Sequence, residues 1–525
     1  MSYPMISESD TTRLIEDMWA MQDGIRLYTR LIMPKGKEKC PIVYIRSPYE
    51  EPKHGEPDLA ENYDNDVYVK NGYAVVYQHC RGRGDSEGDC VPYVEREDGL
   101  RTLELIRQLD CYDGEIYVTG GSYLSTVHLC YLNLNPADIK GAALSIQTDQ
   151  MFFRNYRNGC CYKWCNLNWW LKMIRNTFPV QNMERAYERP YKDNIKRIIG
   201  KEFPPYTNCL MNDTNNTFWQ RDPRVNVSDV LEIPVLFTEG WYDYYIEGMF
   251  SMWDRLPART KKKSAFVVGP WGHATKVKNN DYPLENGDID PNFAVEWFNS
   301  IRNKTPYKHA KCGKVNYYSI GGDFWTCEDY QSKPEDRAIQ RLYFGADNKL
   351  AISPAEAGEY HYTYDPYEPL GYFEYGRIAK AKPAGTEEGV ISFFSEAVAE
   401  DVDYFGEIRW HMSVKTDCED TAFFIRVSFE ANKEAYNLTE TITSLTHINK
   451  DYKPGEEILI DICTPPIGFT LKKGNRIRVD IASDGGDYVP HANVKGHWAC
   501  VTETRIAHNT IFCRDAYIEL PLRMG

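Results

Sequence analysis

EIYVTGGSYLS, residues 115–125, runs from a short β-branched strand through two glycines and a serine into a stretch that can continue as a helix. A serine hydroxyl attacks a carbonyl only when a base takes its proton and the backbone presents it clear of its neighbours. A sharp strand-to-helix turn does the second. Gly120 and Gly121 suit such a turn, because a residue without a Cβ tolerates unusual dihedrals and close approach by other chain segments. An ordinary Gly-Gly-Ser turn reads the same in isolation, so the partners of Ser122 have to come from elsewhere in the chain.

Those partners are an imidazole and a carboxylate, and in the α/β-hydrolase arrangement the chain order is serine, acid, histidine. Ile233–Asp243, IPVLFTEGWYD, is an apolar strand that ends in glycine, two aromatics and Asp243. Ser264–His273, SAFVVGPWGH, is another apolar strand, followed by a Gly-Pro break that puts His273 on a loop. Catalytic groups of α/β sheets gather outside the carboxyl ends of strands, where loops from distant sequence positions converge. Glu239 and Glu247 are rivals for the acid, and His128, on the helix just after the serine, is the rival base, with packing as its plainer role.

The surrounding chain alternates strand and helix. IVYIR (42–46) and YAVVYQH (73–79) read as strands, and Leu100, Leu103, Ile106 and Leu109 recur every three or four residues on a helix at about 97–109. This is βα alternation around a mostly parallel sheet over residues 1–146. Residues 147–230 turn to aromatic-rich helical segments such as NWWLKMI (168–174), an insertion that caps the turn at Ser122. Strand signals return for 231–303, with the sheet closing by about Ile301. From 304 to 525, HYTYDPY, ISFFS, GEIRWHMSVKT, TAFFIRVSFE, EILIDIC and RIRVDIA are period-two strands separated by turns, which indicates a β-sandwich.

GGSYLS, GWYD and GPWGH, together with IRSPY (45–49) and RGRGDSEG (81–88), resemble the X-Pro dipeptidyl-peptidase and cocaine-esterase group of serine hydrolases. The resemblance extends from MQDGIRLYTRLIMP (21–34), similar to that family's opening hairpin, to LKKGNRIRVDIAS (471–483). It implies an α/β-hydrolase fold with a helical cap and a carboxy-terminal jelly roll. It also implies Ser122 as nucleophile, Asp243 as acid and His273 as base, with the Tyr49 hydroxyl and the backbone N–H of Tyr123 holding the oxyanion. Fixed donors aimed where charge develops in the transition state lower the barrier, so a tyrosine hydroxyl there makes physical sense. Two departures stand out. Ser125 occupies a position that is usually glycine, which crowds the first turn of the following helix. IASDGGDYVPHANVKG (481–496) differs from the family's usual asparagine- and proline-rich ending of that strand and loop.

Composition agrees with this reading. The 525 residues exceed what one core holds, and 42% hydrophobic with 14% aromatic content is ample for packed domains. A net charge of −15 argues against a nucleic-acid partner, since phosphate binding relies on clustered Lys and Arg. The amino terminus lacks a basic region followed by an apolar core, and no apolar stretch approaches the roughly 20 residues of a membrane helix. Fifteen cysteines without a disulfide framework suit a reducing cytoplasm. The spacing of Cys160, Cys161 and Cys165 matches no common zinc site, and neither metal nor cofactor is called for.

The expectation is a cytoplasmic serine hydrolase that cleaves an ester or amide of a small molecule through an acyl-enzyme, first of all a carboxylesterase. An X-Pro dipeptidyl-peptidase and an amino-acid ester hydrolase or acyltransferase are the alternatives, and a homodimer stays open. From another class, the carboxy-terminal β-sandwich reads alone as a binding module on an inert first domain. Glu50, Glu51 and Asp149 are the acids that could receive a free amino terminus, and Phe152, Phe153, Trp169 and Trp170 are aromatics of the cap with packing as their plainer role.

Overall fold

The computed structural model describes residues 5–49, 65–90, 95–274, 276–330, 338–354, 358–370 and 376–523. The chain opens with β1 (Met5–Glu8), β2 (Thr12–Ala20) and β3 (Arg26–Pro34), an antiparallel meander with a tight turn at Met21–Ile25. In β3, Leu27, Thr29 and Leu31 point inward and the residues between them do not, the alternation expected of a sheet edge with one wet face. β4 (Cys40–Ser47) and β5 (Ala74–His79) are buried at every position, as parallel strands covered by helices on both faces are. Each fully buried Val or Ile of these strands contributes about 1.5–3 kcal/mol through removal from water.

The sheet continues through β6 (Tyr112–Gly121) and β7 (Ile139–Ser145); a short hairpin, β8 (Tyr156–Arg157) and β9 (Cys160–Cys161), stands apart in the cap. It resumes with β10 (Val235–Gly240), β11 (Ala265–Gly269), β12 (Val315–Ser319) and β13 (Phe324–Glu328). The spatial order is β1-β2-β3-β5-β4-β6-β7-β10-β11-β12-β13, with β5 through β12 mutually parallel in that order. The carboxyl ends of β4, β6, β10 and β11 therefore open on one edge.

The sheet does not close at Ile301. The helix Phe293–Asn303 is a crossover, and β12 follows it in parallel register with β11 before β13 turns back along the edge. No helix separates β12 from β13, so their period-two pattern looks like the β-rich region that follows.

Between β7 and β10 the chain forms short helices, among them Met151–Asn155, Trp169–Thr177, Asn194–Ile199 and Pro204–Met211. Their aromatic side chains build a second core, with Trp170, Ile195, Ile198, Tyr206 and Leu210 buried together. The carboxy-terminal part is antiparallel almost throughout. Its main sheet follows the order Glu434–Ser444, Ala422–Ala431, Arg476–Ala482, Ile391–Ser395, Lys349–Ala351, Ile339–Phe344, Ala507–Pro521, Arg409–Thr416 and Ile458–Cys463. A separate pair, Val402–Gly406 with Ile467–Leu471, lies against β12, where the Tyr317 and Phe405 rings stack 4.4 Å apart. One continuous apolar cluster links the parallel sheet to the β-sandwich. The architecture is an α/β-hydrolase fold with a helical cap and a carboxy-terminal jelly-roll domain. No described helix is long and apolar enough to cross a membrane.

Candidate active site

Ser122 sits between β6 and a helix at Tyr123–Leu132 with φ 56° and ψ −126°, a backbone conformation that L-residues avoid. Holding a non-glycine residue there costs roughly 1–3 kcal/mol, and such strain persists only where surrounding contacts over-determine it. Here they do. The Ser122 N–H donates to the Ser145 carbonyl at 2.9 Å, and its own carbonyl accepts from the N–H groups of Ser125 and Thr126. Gly120 is required for the turn, since a Cβ there would lie 2.4 Å from the Leu124 carbonyl carbon.

Ser125 does more than fit where glycine is usual. Its buried hydroxyl donates to the Gly120 carbonyl at 2.5 Å and accepts from the Ser145 N–H at 3.1 Å, tying the ends of β6 and β7 beneath the nucleophile. The extra side chain therefore braces the turn rather than displacing it.

Asp243 and His273 arrive on loops that are zipped together. Trp241 N–H donates to the Gly269 carbonyl and Tyr242 N–H to the Trp271 carbonyl, at 2.9 and 3.1 Å. The His273 loop also touches the β-sandwich side: a Cβ on Gly272 would fall 2.2 Å from the Gly376 carbonyl oxygen. The result is a linear array. His273 Nδ1 lies 2.6 Å from Asp243 Oδ2, and His273 Nε2 lies 2.9 Å from Ser122 Oγ. Asp243 is buried, and its other oxygen accepts the Tyr245 N–H at 2.9 Å. The imidazole is stacked on Tyr244 at 5.0 Å between centroids and lies against Tyr245 at 5.8 Å.

The rivals take other roles. Glu239 is fully buried and turns back to accept the Gly240 N–H at 2.9 Å, while burial and the neighbouring Asp243 push its carboxyl far above the usual range. Glu247 pairs with Arg157 at 2.8 Å. His128 faces the Tyr131 hydroxyl at 2.5 Å inside the core, and burial with the nearby Arg46 charge pulls it down to about 3, which leaves it neutral.

Tyr49 lies on the loop after β4. Burial pushes its phenol above the ordinary range, against which hydrogen bonding with Ser122 and Trp169 works, so the group stays protonated and able to donate beside the nucleophile. The Tyr123 N–H belongs to the first turn of the following helix, where helical geometry supplies no acceptor and the helix dipole favours negative charge. Tyr49 and the Tyr123 N–H are thus both next to Ser122.

Of the cap aromatics, Trp169 reaches the site, its ring stacked on Tyr123 at 6.0 Å and 13°. Trp170 packs on Phe203 and Tyr206, and Phe152 on Tyr156 and Trp219, inside the cap core; Phe153 meets Phe152 edge-on. Asp149 is engaged elsewhere, receiving the Ser228 N–H and hydroxyl on one oxygen and Arg255 on the other. Glu50 and Glu51 lie outside the described residues. Sequence reading left out Trp169 and missed Tyr244 and Tyr245, although two further tyrosines directly after GWYD were a visible signal for aromatic packing around the histidine.

The divergent loop after Arg476–Ala482 carries a second consequence of burial. Asp484 is 2% exposed, accepts the Gly486 N–H at 2.9 Å, and has its carboxyl pushed up to about 6 by loss of solvent. A folded-state value above the ordinary 3.8 means the fold holds this proton more tightly than the unfolded chain does. That stabilisation is present below about pH 4 and is lost as pH rises through about 6. Asp484→Asn is expected to raise the melting temperature at about pH 8 and to leave it nearly unchanged at about pH 4, the two limits differing by roughly 3 kcal/mol. Equal effects at both pH values in thermal melts would contradict this.

The family described as X-Pro dipeptidyl-peptidase (S15 family) matches residues 23–275, and the X-Pro dipeptidyl-peptidase C-terminal non-catalytic domain matches residues 315–519. The chain is similar to the cocaine esterase of Rhodococcus sp. (strain MB1 Bresler), 24% identical over 526 residues, covering 89% of this chain and 90% of that protein. Among solved structures it is similar to an α-amino acid ester hydrolase, with a TM-score of 0.82 at 18% identity over 99% of this chain and 98% of the other. An aminopeptidase from the marine sediment archaeon Thaumarchaeota archaeon superposes with a TM-score of 0.85 at 18% identity, over 100% of this chain and 98% of the other.

Proposed function

The chain belongs to the X-Pro dipeptidyl-peptidase and cocaine-esterase family of serine hydrolases, and we propose that it is a carboxylesterase whose nucleophile is Ser122. The observation that carries the assignment of roles is the array Ser122 Oγ, His273, Asp243 at 2.9 and 2.6 Å, set on a strained turn.

With its proton on Nδ1 and held by Asp243, the imidazole presents a bare Nε2 to the Ser122 hydroxyl. His273 takes that proton as Oγ attacks the carbonyl carbon, and Asp243 stabilises the imidazolium that forms. Negative charge moves to the carbonyl oxygen, where the Tyr49 hydroxyl and the Tyr123 N–H receive it. His273 then returns the proton to the leaving alcohol as the tetrahedral adduct collapses to an acyl-enzyme. Water, deprotonated by His273 in turn, releases the acid by the same steps with the roles of nucleophile and leaving group exchanged. The residues described are sufficient for every proton transfer.

Tyr49→Phe is expected to lower kcat/KM for esters by roughly 100- to 1000-fold without altering the fold, since one donor to the developing oxyanion is removed. A loss smaller than a few fold would assign the phenol to packing instead.

Of the acids that could receive a free ammonium, Asp149 among the described residues is engaged by Ser228 and Arg255, which favours esters over Xaa-Pro peptides. The deciding experiment compares kcat/KM for short-chain nitrophenyl esters with that for Xaa-Pro anilides. Preference for the anilides would overturn the esterase assignment in favour of the peptidase. We place the enzyme in the cytoplasm on its fifteen free thiols, most of them buried.

A further inference from the structure

We propose that Tyr244 is a positioning residue for the reaction at Ser122: its ring face holds the His273 imidazole in place and stabilises the imidazolium as it forms in the transition state. The proposal rests on the assignment of Ser122, His273 and Asp243 to their roles.

The two rings are stacked, 5.0 Å between centroids and 16° from parallel. Tyr245 adds a second ring at 5.8 Å, inclined by 35°, and itself lies 4.7 Å from Tyr244. All three parts of the molecule hold this arrangement. Tyr244 and Tyr245 belong to a buried cluster that takes Tyr162 and Cys165 from the cap and Phe424 and Tyr488 from the β-sandwich. A cation within about 6 Å of the centre of a tyrosine ring is attracted by the negative face of its π-system, most strongly where water is excluded. The imidazole is neutral before the attack and carries a full charge during it. A contact that is stronger with the charged ring is therefore stronger in the transition state than in the ground state, and only such contacts accelerate the step.

What Tyr244 presents is a neutral face. Burial, with Cys165, Tyr245 and Asp243 behind it, pushes its phenol well above the ordinary range, against which the Arg154 charge works. Cys165 is uncharged too, its thiol pushed up to about 12 by burial. The histidine makes its hydrogen bonds at the ring edge, Nδ1 to Asp243 at 2.6 Å and Nε2 to Ser122 at 2.9 Å. Stacking uses the face, so the two kinds of contact act together.

The test compares kcat/KM for a nitrophenyl ester across pH in the wild type, Tyr244→Phe and Tyr244→Leu. Well above the acid limb the free enzyme holds neutral imidazole, and the leucine variant, which loses the contact in the transition state alone, should be slower by about 3- to 30-fold. Well below the limb the free enzyme already carries imidazolium, both states lose the contact alike, and the two rates should converge. The acid limb of the variant should accordingly lie about 0.5 to 1.5 pH units lower. Phenylalanine keeps the π face and should behave as wild type. The buried acids Glu239, Asp484 and Asp487, whose carboxyls are pushed up, are common to all three proteins, so their titration enters every rate and leaves the ratios. A leucine defect that is equal at every pH or absent throughout would overturn the proposal, as would a phenylalanine variant as slow as the leucine one. If Tyr244→Leu fails to fold, as judged by circular dichroism, phenylalanine with one, two and three ring fluorines at position 244 keeps the size and weakens the π face stepwise. A stepwise fall in rate above the limb with none below it supports the proposal, and a flat series overturns it. Ser122→Ala separates the two assignments. A pH-dependent Tyr244→Leu defect with Ser122→Ala still active supports the role of Tyr244 and sinks that of Ser122. A pH-independent defect with Ser122→Ala inactive does the reverse.

Discussion

Replacing Ser122 with alanine is expected to lower kcat for ester hydrolysis by about 10^4- to 10^6-fold. The size follows from what is lost. Without Oγ no acyl-enzyme forms, and His273 is left with no proton to take; what remains is activation of water in a site whose oxyanion donors are still in place. The fold should be intact, because the contacts that hold the turn are made by the Ser122 backbone and by the Ser125 hydroxyl, which the substitution leaves alone. Steady-state kinetics on a nitrophenyl ester, with melting curves as control, read the effect. The burst of nitrophenol in the first turnover should vanish as well. Activity within 10-fold of wild type would mean that a different group attacks, and the roles assigned to Asp243 and His273 would fall with that of Ser122.

Asp243→Asn should cost about 10^4-fold in kcat, for a reason of proton placement rather than of charge alone. The Tyr245 N–H donates to one Asp243 oxygen at 2.9 Å, so it anchors the amide oxygen of an introduced asparagine and turns the NH2 toward His273. The imidazole then has to accept at Nδ1 and carry its proton on Nε2. A protonated Nε2 faces Ser122 with nothing to accept with. Geometry is preserved and basicity is misdirected. The loss should lessen at high pH, where hydroxide removes the serine proton without the imidazole. A decrease of less than 10-fold, or one equal at all pH values with a fallen melting temperature, would show Asp243 to be a packing residue.

The positions of Ser122, Asp243 and His273 were legible because each is announced by local chemistry. An apolar strand followed by glycine and a break is readable within about ten residues, and the order serine, acid, histidine limits the choice further. Tyr49 was named on resemblance, and the structure sets its phenol beside the hydroxyl it would serve. β12 and β13 were misread because a strand pattern states its own period but not which sheet it joins. Ser125 looked like a disturbance from the sequence, since the crowding of a turn is visible there and the Ser145 N–H waiting 20 residues later is not.

By itself, then, the order of residues determined the strand-turn-helix around Ser122, the loops that carry the acid and the base, and the change from βα alternation to period-two strands. These depend on backbone propensity and on hydrophobic period, which are properties of neighbours along the chain. Only the tertiary structure decided that Arg154 stands against Trp169, that Tyr244 stacks on His273, that Asp149 is spent on Ser228 and Arg255, and that Asp484 holds its proton to about pH 6. Charge state and side-chain partnership in a buried site follow from which groups packing brings within a few ångströms and how much water it removes, and neither is a function of local sequence.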